Sequence, residues 1–545
     1  MMFTRLDIAV SALSLLLLSF LYIRNRRNAL IFLKGPPSQS FLLGLEHEIW
    51  LGNLAETFRV WSKEYGTAYR LEGCFGQKML VISDPRAIHR VLQESLQEYP
   101  EAGDVRRIFE LLLGKGVLSA VGEDHKRHRR VLGPAFSINH MRQFLPLFQG
   151  HVAHLSEIWN NKLQGKGETI DIIPWFHKTT LDIIGESAFN YRFDALDNKP
   201  NELTKVLYEL EKFGLTRTPI ATLLMALPRY IPTFISSFQG KYFPSEVERI
   251  AHRYLTLSNQ KAKEVMKEAG LDIEDLGDNQ IVGANNERDV LSVLVRANCE
   301  EDIRKRLNEE EILAQMTTLI QAGHHTSGHT LSWIFYELSA HPEDQAKVYE
   351  EIKRVREKNQ GELTSADYDS MTHLTLVLKE TLRLHPVVAN LDREALKNDI
   401  LLLDFPVVSK NGSLINEIPV RKGQRIRVDI SSYNRLESVW GEDASEWNPK
   451  RHERLDSEER KQTQVGLFAN ILTFSGGPKG CIGWRFALME MQALVTGLLE
   501  RFEFTIPADV EIEAASPGLI VPSVIGNEDA GPQLPLRVTP RSVTA

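Results

Sequence analysis

The longest apolar stretch in the chain runs from Ile312 to Leu338, and its borders define it as a helix. Asn308 stands ahead of it as a candidate N-cap, and Glu309, Glu310 and Glu311 suit the positive end of a helix dipole. His341-Pro342 closes the run. At about 1.5 Å per residue, the segment from Asn308 to Ala340 would extend roughly 50 Å, enough to cross a large domain. A second apolar helical pattern runs from Trp484 to Leu499, directly after a loop rich in Gly and Pro. A third, Ile8 to Ile23, contains no charged residue, and Arg24, Arg26 and Arg27 follow it. Ala68–Leu71 and Met79–Ile82 read as a strand pair around a Gly-rich turn, and Asp84-Pro85 opens the next helix. Helical patterns then dominate to about residue 385. Short strands follow, including Ile418–Ile430 with its Lys422-Gly423 turn. Glu268 to Asp289 is polar and contains Gly and Asn, which reads as a surface loop before the long helix. The plan is mainly α with small β-sheets, an α+β chain.

Composition narrows this plan. The 545 residues show no repeat, low-complexity block or composition break, so one large domain after residue 35 fits better than several small ones. A formal net charge of −8 gives no global drive toward nucleic acid. Three cysteines leave no disulfide framework and point to a reducing compartment. The Ile8–Ile23 run makes about 24 Å of helix, slightly short of a bilayer core of roughly 30 Å. A cleaved signal peptide would carry its charges ahead of the apolar run, whereas here the arginines follow it. An uncleaved single-pass anchor with the large domain in the cytosol is the expected arrangement. Gly35-Pro36-Pro37 then forms a stiff break, giving an anchor and basic flank over 1–34 and a catalytic domain over 35–545.

Chemistry concentrates around Cys481, in Phe474-Ser475-Gly476-Gly477-Pro478-Lys479-Gly480-Cys481-Ile482-Gly483. A lone cysteine is most simply a small buried hydrophobe. Here, glycines at 476, 477, 480 and 483 allow close backbone approach to a flat object. A thiolate at the mouth of the Trp484 helix is favoured by the helix dipole and by free N–H groups. The arrangement suits one sulfur ligand to a haem iron. Glu380 and Arg383, three apart and followed by Pro386, share one helix face whose apolar flanks require the pair to be partly buried. In Ala322-Gly323-His324-His325-Thr326-Ser327, two small residues open a groove and a hydroxyl follows three positions after the glycine. His325 and His329 have the i,i+4 spacing of helical zinc ligands. No third ligand is identifiable in sequence, so a packed core histidine and a proton relay stand beside the metal reading. The basic run Gly122–Arg130 is most simply a solvated helix face.

These motifs together resemble the cytochrome P-450 (haem-thiolate monooxygenase) family, membrane-anchored eukaryotic type, over most of the chain after residue 35. The Cys481 loop is similar to F-x-x-G-x-R-x-C-x-G, with Lys479 at the usual Arg. Glu380-x-x-Arg383 lies about a hundred residues earlier, as in the family. The resemblance makes Arg451 the third member of a structural triad, although Lys450 replaces the usual acid beside it. Ala322–Ser327 is similar to A-G-x-[DE]-T-[TS], with His325 at the acidic position. His125 and Arg129 match W-x-x-x-R, and an imidazole N–H can replace the indole donor. The resemblance implies haem b with Cys481 as its axial thiolate, whose electron donation favours O–O cleavage. It implies cofactor contacts from Phe474, Gly477 and Gly483, and propionate partners in His125, Arg129, Arg393 and Lys479. It also implies an oxygen groove at Ala322 and Gly323, and proton delivery through Thr326 with His325.

No Walker-type loop or strand-linked G-x-G-x-x-G is present, and only 64 residues follow Cys481, too few for a flavin domain. The implied electron source is therefore a separate NADPH-dependent flavoprotein reductase, with cytochrome b5 as a further donor, at the endoplasmic reticulum membrane. Gly122–Arg130, Asp289–Asn298 and Gly323–Thr326 look most like fungal members that oxidise small hydrophobic secondary metabolites of terpenoid or aromatic skeleton. The alternatives are a haem-thiolate isomerase or dehydratase needing no reductase, and a non-catalytic haem or lipid carrier. Retention of Thr326 speaks against the first. Specificity is expected in the loop around Ala102–Ala120, the helices near 205–240 and the segment Val387–Asn390.

Overall fold

A computed structural model describes residues 30–541 apart from 96, 200, 215–217, 231–241, 243, 269–288, 301, 458–462, 516–517 and 528–529. Asn308 caps the long helix as its sequence predicts. Its side chain accepts from the Glu311 N–H at 2.9 Å, and the Glu311 carboxylate accepts from the Asn308 N–H at 2.9 Å, a closed capping box. The helix runs unbroken over Glu309–Ala340 and is buried along most of its length, so it forms the axis of the main core. Helix Ile173–Phe189 packs along it, with the Thr180 hydroxyl donating to the His324 carbonyl at 3.0 Å. Helices Trp484–Arg501 and Leu145–Leu163 complete this core through Phe486, Phe148 and Leu494.

A four-stranded sheet stands beside the helical body, in the order Ala68–Glu72, Lys78–Ile82, Arg425–Asp429, Asn390–Glu394. The first two strands form the expected antiparallel pair, in register from Ala68↔Ile82 to Glu72↔Lys78. Lys78–Ile82 then pairs in parallel with Arg425–Asp429, Met79 opposite Arg425. The Lys422-Gly423 turn exists, with Gly423 at φ +81°. It is a corner between two sheets, however, not a hairpin. Leu414–Val420 pairs with Asp399–Val408 instead. Arg425 and Arg427 are held beside the central strand by Asp392, whose carboxylate accepts from both at 2.7–2.8 Å.

The segment expected as a loop around 102–120 contains the helix Gly103–Leu113, and only its remainder is irregular. The polar stretch before the long helix falls mostly outside the described residues, between helices Glu246–Glu268 and Val290–Glu300. The apolar run 8–23 also lies outside them. Among the described residues no helix is long and apolar enough to cross a membrane. Leu30 and Leu33, on the expected basic flank, are fully buried, and Leu33 bridges to Ser409. Gly35 lies against the strand Ala68–Glu72 so closely that a Cβ would stand 1.8 Å from the Arg70 carbonyl oxygen. The Gly-Pro-Pro segment is thus docked on the sheet.

Candidate active site

The loop that carries Cys481 folds back on itself. The Cys481 N–H donates to the Phe474 carbonyl at 2.9 Å, Gly480 to Gly477 at 3.0 Å and Ser475 to Leu472 at 2.7 Å. Gly477 sits at φ +67°, and a Cβ there would meet the Leu92 carbonyl oxygen at 2.3 Å. Gly476 would meet the Val465 oxygen at 1.9 Å. These two glycines let the loop approach neighbouring backbone closely. Gly483 caps the helix Trp484–Arg501, and its N–H donates to the Cys481 sulfur. Phe474 is buried and packs edge-on against Phe468, with ring centroids 6.4 Å apart.

Cys481 lies deep in the molecule, yet its surface is open. A residue both deep and open lines an internal cavity rather than the outer surface. Burial pushes its thiol pKa up, while the Gly483 N–H and the Arg129 guanidinium pull it down. The other two cysteines differ. Cys74 is buried with its thiol pushed up to about 12, chiefly by desolvation, and Cys299 is half-buried on the helix Val290–Glu300.

Four predicted cofactor residues converge near this loop. Arg129 donates to the Gly480 carbonyl at 3.0 Å, and Lys479 donates to the Ala120 carbonyl at 2.9 Å. Glu101, which the sequence did not single out, forms ion pairs with both Lys479 and Arg393, the latter at 3.1 Å. Burial lowers the pKa of Arg129, Arg393 and Lys479 alike. The cause is desolvation: Arg393 and Lys479 share Glu101, Arg129 has the Cys481 sulfur as its charged neighbour, and Arg393 Nε meets no acceptor. Asp392 also acts on Arg393 electrostatically, though its hydrogen bonds go to Arg425 and Arg427. Cations that share one carboxylate, with a guanidinium N–H left unpaired, fit the two carboxylates that a haem would bring. His125 is buried in the same neighbourhood. Desolvation first, then Lys479 and Arg129, lower it to about 4, so it is a neutral imidazole at pH 7 with an N–H to donate. The helix Gly122–Leu132 is therefore not merely a solvated basic face. Arg127 clamps Glu311 with two bonds at 2.6 and 2.8 Å, and His128 is buried beside it.

The expected triad is present and wholly buried. Arg383 donates two parallel bonds of 2.8 Å to Glu380, and Arg451 adds a third at 3.3 Å. His452, absent from the sequence reading, approaches the second oxygen at 3.0 Å, and the Asn448 N–H approaches the first at 3.0 Å. Burial alone would raise the Glu380 carboxyl, but Arg383 and His452 outweigh it and bring it to about 2. Lys450 is exposed and takes no part in these side-chain bonds. Arg451 finds its second anion in Asp443, so the triad does not depend on an acid at position 450.

At the middle of the long helix, Ala322 is exposed although the helix around it is buried. Gly323 does not share that opening: a Cβ there would meet Ile184 Cδ1 at 2.8 Å, so its space is filled by the neighbouring helix. The Thr326 hydroxyl donates to the Ala322 carbonyl at 2.5 Å, leaving its lone pairs as acceptors. His325 lies beside His324, ring centroids 3.9 Å apart, and 4.9 Å from His177 of the Ile173–Phe189 helix. Sequence spacing could not reveal His177, which lies about 150 positions earlier.

A family model described as Cytochrome P450 matches residues 35–524. The chain is 33% identical over 519 residues to cytochrome P450 monooxygenase 205 of Postia placenta, covering 93% of this chain and 92% of that protein. It is 30% identical over 494 residues to ganoderic acid synthetase CYP5150L8 of Ganoderma lucidum, covering 88% of each. It is 28% identical over 530 residues to cytochrome P450 monooxygenase claU of Ampulloclitocybe clavipes, covering 96% and 95%.

Proposed function

The chain belongs to the cytochrome P450 family, and from that premise we propose that this haem-thiolate monooxygenase oxidises a small hydrophobic metabolite of fungal secondary metabolism, of terpenoid or aromatic skeleton. A relative named for the synthesis of ganoderic acid supports a biosynthetic role. Electrons come from a separate NADPH-dependent flavoprotein reductase. The observation that carries the site assignment is Cys481 itself: deep in the molecule yet open at its surface, beside Arg129, with Arg393 and Lys479 sharing the single carboxylate of Glu101 nearby.

Haem bound there supplies the activation of O₂ and the insertion of one oxygen atom into substrate. The protein's part follows from its own groups. The Gly483 N–H and the Arg129 charge stabilise the Cys481 thiolate against its burial. Arg129, Arg393, Lys479 and neutral His125 would hold the two propionates. Thr326, its proton committed to Ala322, accepts from a water on the open side and so orders proton delivery. His325 relays protons in place of the family's carboxylate. The chain holds to the endoplasmic reticulum through residues 1–34, with residues 35–545 in the cytosol. Exposed Ile220, Leu224 and Met225 support a second membrane contact beside Phe41 and Leu42, the two segments being joined by His47 and Thr222 at 3.0 Å.

The decisive experiment is the reduced carbon-monoxide spectrum. Wild type should show the strongly red-shifted Soret band of sulfur ligation. Cys481→Ala should lose that band and all oxygenation, whereas Cys74→Ala and Cys299→Ala should keep both. A thiolate spectrum in Cys481→Ala would remove the assignment, and substrate-linked O₂ consumption that does not require reductant would remove the monooxygenase cycle.

A further inference from the structure

We infer that His177, His325 and His329 form a second metal site, for a divalent cation of zinc type, at the junction of the Ile173–Phe189 helix with the long helix. One nitrogen from each ring can be chosen so that all three lie within 4.8 Å of one another. His325 and His329 stand one helical turn apart with rings nearly parallel, 22° between planes. The His177 ring enters almost perpendicular to both, at 84° and 88°, with centroids 4.4 and 4.9 Å away. The third ligand missing from the sequence is thus supplied by another helix.

The backbone is shaped for that approach. Gly328 lies between the two helical histidines, and a Cβ there would stand 2.5 Å from His177 Cδ2 and 3.3 Å from its Nε2. Any side chain at 328 would expel the ring. On two of the rings a nitrogen lacks other employment. His177 Nε2 and His329 Nδ1 are buried with no hydrogen-bond partner, a state that natural interiors avoid. No carboxylate contributes to the electrostatics of either ring; their charged neighbours are further histidines. Tetrahedral zinc at about 2.0–2.1 Å from each nitrogen needs them about 3.3 Å apart, so the rings close inward on binding. His177 and His325 are partly exposed, which leaves a route for the ion and a fourth position for water. Three imidazoles with no oxygen donor select zinc-type ions over magnesium or calcium.

The site shares His325 with the proposed proton relay, and a bound metal would take a nitrogen that the relay uses; its test therefore reads metal rather than turnover. Haem-loaded full-length protein is stripped with EDTA, exposed to Zn²⁺ and desalted, and zinc is counted beside the haem iron. One zinc per chain should be retained, with none lost to excess Mg²⁺. His177→Ala and His329→Ala should weaken binding by at least the roughly 10–100-fold that loss of even an outer-shell partner produces. Gly328→Ala, which keeps every donor but displaces His177, should weaken it as well, while exposed His252→Ala should not. The reduced carbon-monoxide spectrum of each variant reports whether its haem pocket is intact. Absence of zinc from wild type, or unchanged affinity in His177→Ala with an intact spectrum, overturns the site. Where a variant does not fold, anomalous diffraction at the zinc edge decides. A peak among the three rings supports the site, and a peak only elsewhere overturns it.

Discussion

Glu490 lies fully buried on the helix Trp484–Arg501 with no cation beside it. Burial pushes its carboxyl up to about 8, and only the Ser327 hydroxyl opposes this. Between the ordinary carboxyl range and about 8, the folded protein holds a proton at Glu490 that the unfolded chain has released. Stability therefore declines as pH rises through that window. Glu490→Gln should raise the melting temperature at pH 8 and flatten its fall between pH 5 and 8. Equal slopes for variant and wild type would refute this. His325 and Thr326 make a second residue-scale case. His325→Ala should slow turnover and His325→Glu should restore much of it, whereas Thr326→Ala should raise peroxide released per NADPH. Product per NADPH across the neutral pH range checks all three, and a wild-type profile in His325→Ala would end the relay reading. At this scale, residues inside a continuous signature were legible in the sequence: Cys481, Thr326, Glu380 and Arg383. Glu101, His177 and His452 were not, because each acts on a partner far along the chain and carries no local signal.

Among elements, the helices declare themselves through their ends. The Asn308–Glu311 capping box and the stop at His385-Pro386 follow from side-chain chemistry within a few positions. The Lys422-Gly423 turn misleads because turn chemistry fixes a reversal and not the partner; the arginines beyond it are drawn to Asp392. The same segment-level logic applies to the knot around Glu380, which ties the helix Thr372–Leu384 to Asn448, Arg451 and His452. Glu380→Ala leaves two guanidinium groups buried without their carboxylate, at a cost of about 3–5 kcal/mol. It should lower haem content and melting temperature sharply. Lys450→Asp, which restores the family's acid at an exposed position, should change stability by no more than about 0.5 kcal/mol. Calorimetry of the two variants separates a buried structural carboxylate from a surface preference, and comparable losses would contradict the buried network.

For the whole molecule, the even composition reads as one large domain after residue 35, but the first packed residue was not legible in the sequence. Leu30 and Leu33 follow a basic cluster and read as flank, yet both are fully buried against the sheet region. Deleting residues 1–29 should leave a haem-binding domain with an intact spectrum and weaker membrane association. Deleting 1–34 removes two buried leucines worth about 1.5–3 kcal/mol each, so its melting temperature should be clearly lower. Equal melting temperatures would show that these contacts contribute little.

The parallel pairing of Met79 with Arg425 also places a demand on synthesis. A ribosome adding about 5–20 residues per second completes the second strand roughly 20–70 s after the first. Throughout that interval the hairpin 68–82 exists with its inner edge unpaired, a row of free amide groups open to any other extended chain. The central strand of the finished sheet is thus, for most of its time on the ribosome, an edge strand in need of shelter.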